Sequence, residues 1–284
     1  MSRHSQAATR RPRTAAATTL AKPASGAGNS VAPAPIGAAT ARRWAAVDIF
    51  RGGAILAMIA YHFCFDLAWN GWLVADFVND WRWIWFRTPI LGSFLFIAGV
   101  SLGLAEASGQ SNAEFWRRVG IIASAAALVS LGSYLMFPGS FIYFGVLHAI
   151  ALMSVLARPV ARWGAWTIAL GLAVLSVGVT VVHPLFDRPL LHWMGLMTIK
   201  PRTEDYVPLF PWFGLLLIGA GAGAWIARER RTAERLGTWK APRALGWTAW
   251  LGRHSLAVYL LHQPLLLGTM LLVRHFLQAP VHPG

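Results

Sequence analysis

The sequence predicts an all-α fold: a polytopic membrane bundle of about seven transmembrane helices, with its N-terminus in the cytoplasm. Three observations lead there. Of the 284 residues, 56% are hydrophobic and 13% are charged, about half the ~25% charged share of a soluble domain. The apolar residues are gathered into seven runs near the length of a membrane span. Lys and Arg are shared out very unequally among the segments that join those runs. Fifteen Trp and fifteen Phe add the aromatic bulk that collects at membrane–water interfaces. A single Cys64 excludes a disulfide framework within one chain and a multi-cysteine zinc site.

Residues 1–41 are rich in Ala, Thr, Pro, Ser and Gly, carry Arg3, Arg10, Arg11, Arg13 and Lys22, and hold no acidic residue. Such a segment cannot bury a core and is expected to be a disordered, basic cytoplasmic tail. It lacks the apolar h-region and small-residue cleavage site of a secretory signal. The transmembrane domain is expected over 42–277, with 278–284 as a short outer tail.

The apolar runs cover 44–68, 84–105, 119–136, 142–157, 163–182, 208–227 and 251–273. A span takes ~20 residues, within a range of ~17–25, and the fourth run falls a little short. Gly and Pro recur inside the runs, as membrane helices tolerate when neighbouring groups satisfy the backbone. With the N-terminus inside, the cytoplasmic segments hold 18 Lys and Arg and the outer ones six, leaving Arg51 within a helix. That asymmetry is the positive-inside pattern and puts the C-terminus of a seven-helix chain outside. The net charge of +14 is therefore a topology signal, and nucleic acid is not an expected partner. The expected surroundings are the lipid bilayer, crossed several times.

The first run carries unusual polarity. It holds Asp48, Arg51, His62 and Asp66, and at 100° per residue all four fall within roughly 60° of helix circumference. Asp48 and Arg51 are three apart and His62 and Asp66 four apart, so each couple is placed to pair along the helix. Arg51 and His62 are separated by about 16 Å of helix axis. Charges at membrane depth cost roughly 2.5–3.5 kcal/mol and face the bundle interior or a wet cavity. Asp48–Arg51 reads equally as a helix-packing clamp and as a ligand site. His62, with Asp66 one turn away to orient it, reads as a base.

Polar groups recur in three later segments. Phe144-Gly145-Val146-Leu147-His148 sets a histidine inside the fourth run, a placement more often structural than catalytic. Asp205-Tyr206-Val207-Pro208-Leu209-Phe210-Pro211-Trp212 leads into the sixth run as an interface anchor or a turn lining a mouth. In Leu251-Gly252-Arg253-His254-Ser255 and on to Pro264, Ser255, Tyr259 and His262 share one helical face. Arg253 belongs at the cytoplasmic boundary, where it either snorkels or meets the phosphates of a ligand.

Taken in order, Asp48-Ile49-Phe50-Arg51-Gly52, the His62–Asp66 turn, Trp69-Asn70-Gly71 and Phe94-Leu95-Phe96-Ile97-Ala98-Gly99-Val100-Ser101 resemble the first two helices of one family. The later Phe144–His148, Asp205–Gly214 and Leu251–Pro264 segments continue the likeness over about residues 42–275. The family is the heparan-alpha-glucosaminide N-acetyltransferase catalytic-domain family, in its short bacterial form, within the integral-membrane acyltransferases. The resemblance implies transfer of an acetyl or other acyl group from cytoplasmic acyl-CoA, as co-substrate, to an acceptor across the membrane. An envelope glycan or lipid-linked acceptor is expected, since a bacterium has no heparan sulfate. Members are thought to use a histidine in or just after the first helix. Aligned on Trp69-Asn70-Gly71, the lysosomal member's histidine falls near Asp66, whereas this chain has His62, so the identity of the base is open at this stage.

The candidate catalytic residues are thus His62, Asp66, His262, Tyr259 and His148, with the last three as candidates to stabilise an oxyanion. The candidate acyl-CoA-binding residues are Arg51, Asp48, Arg253 and Ser255. No metal is expected, because the histidines are scattered over different helices, and a homodimer is compatible with this reading. A transporter or proton-coupled channel, with the same Asp, Arg and His groups as its relay, is the alternative.

Overall fold

The computed structural model describes residues 44–77 and 79–278. The expected basic tail, 1–41, lies outside them. The chain forms α1 (Ala45–Trp69), α2 (Trp81–Ala107), α3 (Asn112–Met136), α4 (Val146–Ala157), α5 (Ala165–Thr180), α6 (Trp212–Arg228), α7 (Arg230–Thr238), α8 (Gly246–Arg253) and α9 (Ser255–Gln278). Short 3₁₀ turns join several of them. Among the described residues the only extended pairing is an isolated bridge between Phe144 and Tyr206.

Each of the seven apolar runs contains a helix. Four of these, α1, α2, α3 and α9, are long and apolar enough to cross a membrane, while α4, α5 and α6 are shorter. At 1.5 Å per residue the short three reach about 18, 24 and 26 Å. The burial pattern accounts for α6: Leu216, Leu217, Ala220 and Ala224 are wholly enclosed by the neighbouring helices.

Two boundaries depart from the apolar runs for local reasons. Helix α3 starts seven residues before its run, in polar sequence. There the Ser111 hydroxyl accepts from the Glu114 N–H and Glu114 reaches back to Ser111, a reciprocal cap that satisfies two otherwise orphaned donors. The run at 251–273 is not one helix. Helix α8 stops at Arg253, the His254 ring bonds back to the Trp250 carbonyl at 2.9 Å, and α9 begins at Ser255.

Close helix contacts are built on small residues, as expected where dispersion rather than water expulsion drives association. On α2, Gly99 and Gly103 lie against the backbone of Leu216 and Ala220, and on α6 Gly219 and Gly223 lie against Phe96 and Val100. A Cβ at any of the four would run into backbone. The α1–α8 contact is made the same way: Gly52 meets the Thr248 carbonyl and Gly252 meets the Asp48 carbonyl. Along α1, the contacts then pass from Gly252 at Arg51 to His262 at His62, Gln263 at Asp66 and Met270 at Asn70. Helix α9 therefore runs parallel to α1.

Candidate functional site

Arg51 ties three helices together. Its guanidinium meets the Asp48 carboxylate at 3.2 Å, the Ser101 hydroxyl of α2 at 2.7 Å and the Gly252 carbonyl of α8 at 3.4 Å. The i,i+3 couple expected from spacing is present, and Asp48 is buried.

The second expected couple is replaced. Asp66 is 2% exposed, and its carboxylate accepts from the Gln263 side-chain amide of α9 at 3.0 and 3.3 Å rather than pairing with His62. A buried carboxylate needs donors wherever they lie, and the amide across the α1–α9 interface supplies them. His62 faces α9 too, with its ring centroid 5.1 Å from that of His262.

His262 is 8% exposed. Its Nδ1 lies 2.6 Å from the Tyr259 carbonyl, which can only accept, so Nδ1 carries the proton and the neutral ring keeps its lone pair on Nε2. That nitrogen is buried and has no partner, and the same holds for Oε1 of the adjacent Gln263. In its neutral form, Nε2 accepts.

Asp205 closes the other end of the cluster. It accepts from the Val146 N–H at the start of α4 at 2.9 Å and from the Tyr259 hydroxyl at 3.5 Å. Gly145 admits it, since a Cβ there would collide with the carboxylate. Burial holds the Asp205 carboxyl above the ordinary carboxylate range, against the opposing pull of the Val146 N–H, the Tyr259 phenol and Lys200.

The structure thus brings His62, Asp66 and His262 to the α1–α9 interface, turns Tyr259 to Asp205 and keeps Asp48 with Arg51. His148 stands apart from them. Its Nδ1 accepts from the Gly145 N–H at 3.3 Å and its Nε2 meets the Ser130 hydroxyl at 3.1 Å, so both nitrogens are taken up in starting α4 and joining it to α3. These contacts make it a cap for α4. Arg253 is exposed at the end of α8, and it is the neighbouring Gly252 carbonyl that reaches Arg51. Ser255 opens α9. Gln263, Ser101 and Asp205 were not singled out as site residues by spacing. Gln263 carried one usable signal, an amide beside a histidine and a proline inside an apolar run. Among the described residues no group of three His, Cys, Asp or Glu is arranged to hold a metal.

Residues 43–264 match the family model of the heparan-alpha-glucosaminide N-acetyltransferase catalytic domain. No curated protein and no solved structure matches the chain. The match spans most of the 284 residues and includes Asp48, Arg51, His62, Asp66, Tyr259 and His262. The chain belongs to the heparan-alpha-glucosaminide N-acetyltransferase catalytic-domain family.

Proposed function

We propose that the protein is an integral-membrane acyltransferase of a bacterial inner membrane. It moves an acetyl or other acyl group from cytoplasmic acyl-CoA to a hydroxyl or amine on an envelope glycan or lipid-linked acceptor. Family membership supports the acetyl donor. The observation that carries the rest is a set of atoms at the α1–α9 interface that can accept but not donate. Nε2 of His262 and Oε1 of Gln263 are buried without partners, beside the Asp66 carboxylate and the His62 ring. An acceptor hydroxyl or amine brings the donors such a site lacks.

In the reaction, the acceptor oxygen or nitrogen attacks the thioester carbonyl as an imidazole of the His62–His262 pair removes its proton. The carbon–sulfur bond then breaks, and the departing thiolate takes that proton to leave as free CoA. Gln263 holds Asp66, and the Tyr259 carbonyl sets the His262 tautomer with its lone pair on Nε2. Arg51 lies about 16 Å along α1 from His62, a separation that an extended pantetheine arm can bridge. The transporter alternative has no support in the family match, and the α1 charges are engaged in separate local bonds rather than in one relay.

Replacing His62 or His262 by Ala tests the reading. Each change is expected to lower kcat for acyl transfer by roughly 10²–10⁴-fold with normal membrane abundance. Unchanged kcat in both variants would remove the pair from the chemistry. Trapping an acyl-histidine in acid-quenched protein would replace direct transfer by a two-step route.

A further inference from the structure

Between α6 and α9 the chain carries a surface of one charge. Helix α7 turns Thr232, Ala233, Leu236 and Gly237 partly inward and leaves Arg231 and Arg235 exposed. Lys240 and Arg243 follow, also exposed, in the link to α8. The two acidic residues of this stretch are already used. Glu234 pairs with Arg230 at 2.8 Å, and Glu229 caps α7 by accepting from the Thr232 N–H and hydroxyl at 3.0 and 2.9 Å. Among the described residues none of Arg231, Arg235, Lys240 and Arg243 takes part in a salt bridge. Arg158, by contrast, is neutralised by Glu106 at 3.0 Å and bonded to Asn112 at 2.6 Å.

Three exposed tryptophans stand among these cations. Trp239 follows α7, and Trp247 and Trp250 lie about one turn apart on α8. Their face of α8 is opposed to the one on which Thr248 and Gly252 meet α1. The same packing sets the depth of the surface. Thr248 lies against Gly52 and Gly252 against Asp48, within about two turns of the start of α1. The cations and indoles are therefore at the level where that span begins. Indoles collect at headgroup depth, and the stems of Lys and Arg beside them carry charge out to the phosphates.

We infer that the α7–α8 segment is a docking surface for anionic phospholipid, with Arg231, Arg235, Lys240 and Arg243 on the headgroups and Trp239, Trp247 and Trp250 in the interface. By the count of Lys and Arg, the leaflet is the cytoplasmic one. A soluble phosphate would satisfy the cations but leave the indoles bare, and that selects a lipid. The inference is independent of the acyltransferase reading, since no substrate enters it.

Thermal unfolding of the full chain in neutral detergent, titrated with phosphatidylglycerol, phosphatidylcholine and CoA, tests it. The wild type is expected to respond to phosphatidylglycerol at about tenfold lower concentration or less, since each Lys or Arg near an anionic surface is worth about fivefold. The variant Arg231→Gln, Arg235→Gln, Lys240→Gln, Arg243→Gln is expected to respond to the two lipids alike. Arg231→Lys, Arg235→Lys, Arg243→Lys keeps the charge and is expected to keep the preference. If the Gln variant does not fold, loss of the wild-type preference at about 1 M salt carries the same comparison. Equal responses of the wild type to the two lipids would overturn the inference, as would a preference that survives in the Gln variant or at high salt. So would a CoA response that disappears in the Gln variant, because the partner would then be a soluble phosphate.

Discussion

One backbone contact sets the tautomer of His262. The Tyr259 carbonyl accepts the Nδ1 proton, which leaves the lone pair on Nε2. Spacing had suggested that His262 shares a face with Tyr259, and it does face the α1 histidine. A tautomer depends on which carbonyl the ring meets, and that is not written in spacing. Asp205 makes a related point through pH. Its buried site favours the protonated carboxyl, so the folded state binds more protons than the unfolded state above the ordinary value of ~3.9. Stability is therefore expected to fall as pH rises from that value through the raised one. Asp205→Asn keeps an acceptor for the Val146 N–H and is expected to flatten this part of the profile. Chemical denaturation at a series of pH values checks it, and an identical slope in both proteins would mean that Asp205 does not titrate there.

At the scale of elements, two neighbouring glycines on α1 are expected to behave in opposite ways. Gly52 lies against the Thr248 carbonyl of α8, while nothing lies within 4 Å of a Cβ built at Gly53. Gly52→Ala should cost about 1–3 kcal/mol by overpacking. Gly53→Ala should be neutral or gain up to ~1 kcal/mol of helix propensity. Melting temperatures of the two variants decide whether α8 is seated on α1 as described. Much at this scale was legible in the sequence, because apolar runs and helical periods are local properties. The Asp48–Arg51 pair was legible for the same reason, as an i,i+3 spacing. What was not legible is what crosses between helices. Asp66 turns to Gln263, nearly two hundred positions away, rather than to His62 four positions off. The break at His254 depends on a side chain bonding back to Trp250 within a run whose composition reads as continuous. The start of α3 was hidden because its cap is made by Ser111 and Glu114, polar residues that an apolar window excludes.

For the whole molecule, orientation rests on the distribution of Lys and Arg, 18 against six. Arg51 lies in the first two turns of α1, and His62 about 16 Å farther along it. A reporter fused after Gly284 is expected to be active outside the cytoplasm. Activity only inside would mean an even number of crossings, and the 12-residue α4 would be the first helix to remove from the count. Small-residue contacts hold α6 against α2 and α5, while α1 and α9 present polar groups to each other.

The most direct test of the account is vectorial transfer. Inside-out membrane vesicles containing the protein would be given radiolabelled acetyl-CoA at their outer, originally cytoplasmic, surface, and the label would then be sought in enclosed envelope glycans and lipid-linked sugars. The account predicts label in that enclosed fraction for the wild type and its loss in the His62→Ala, His262→Ala double variant at equal abundance. Wild-type vesicles that transfer no label, or a double variant that transfers as much as wild type, would contradict it.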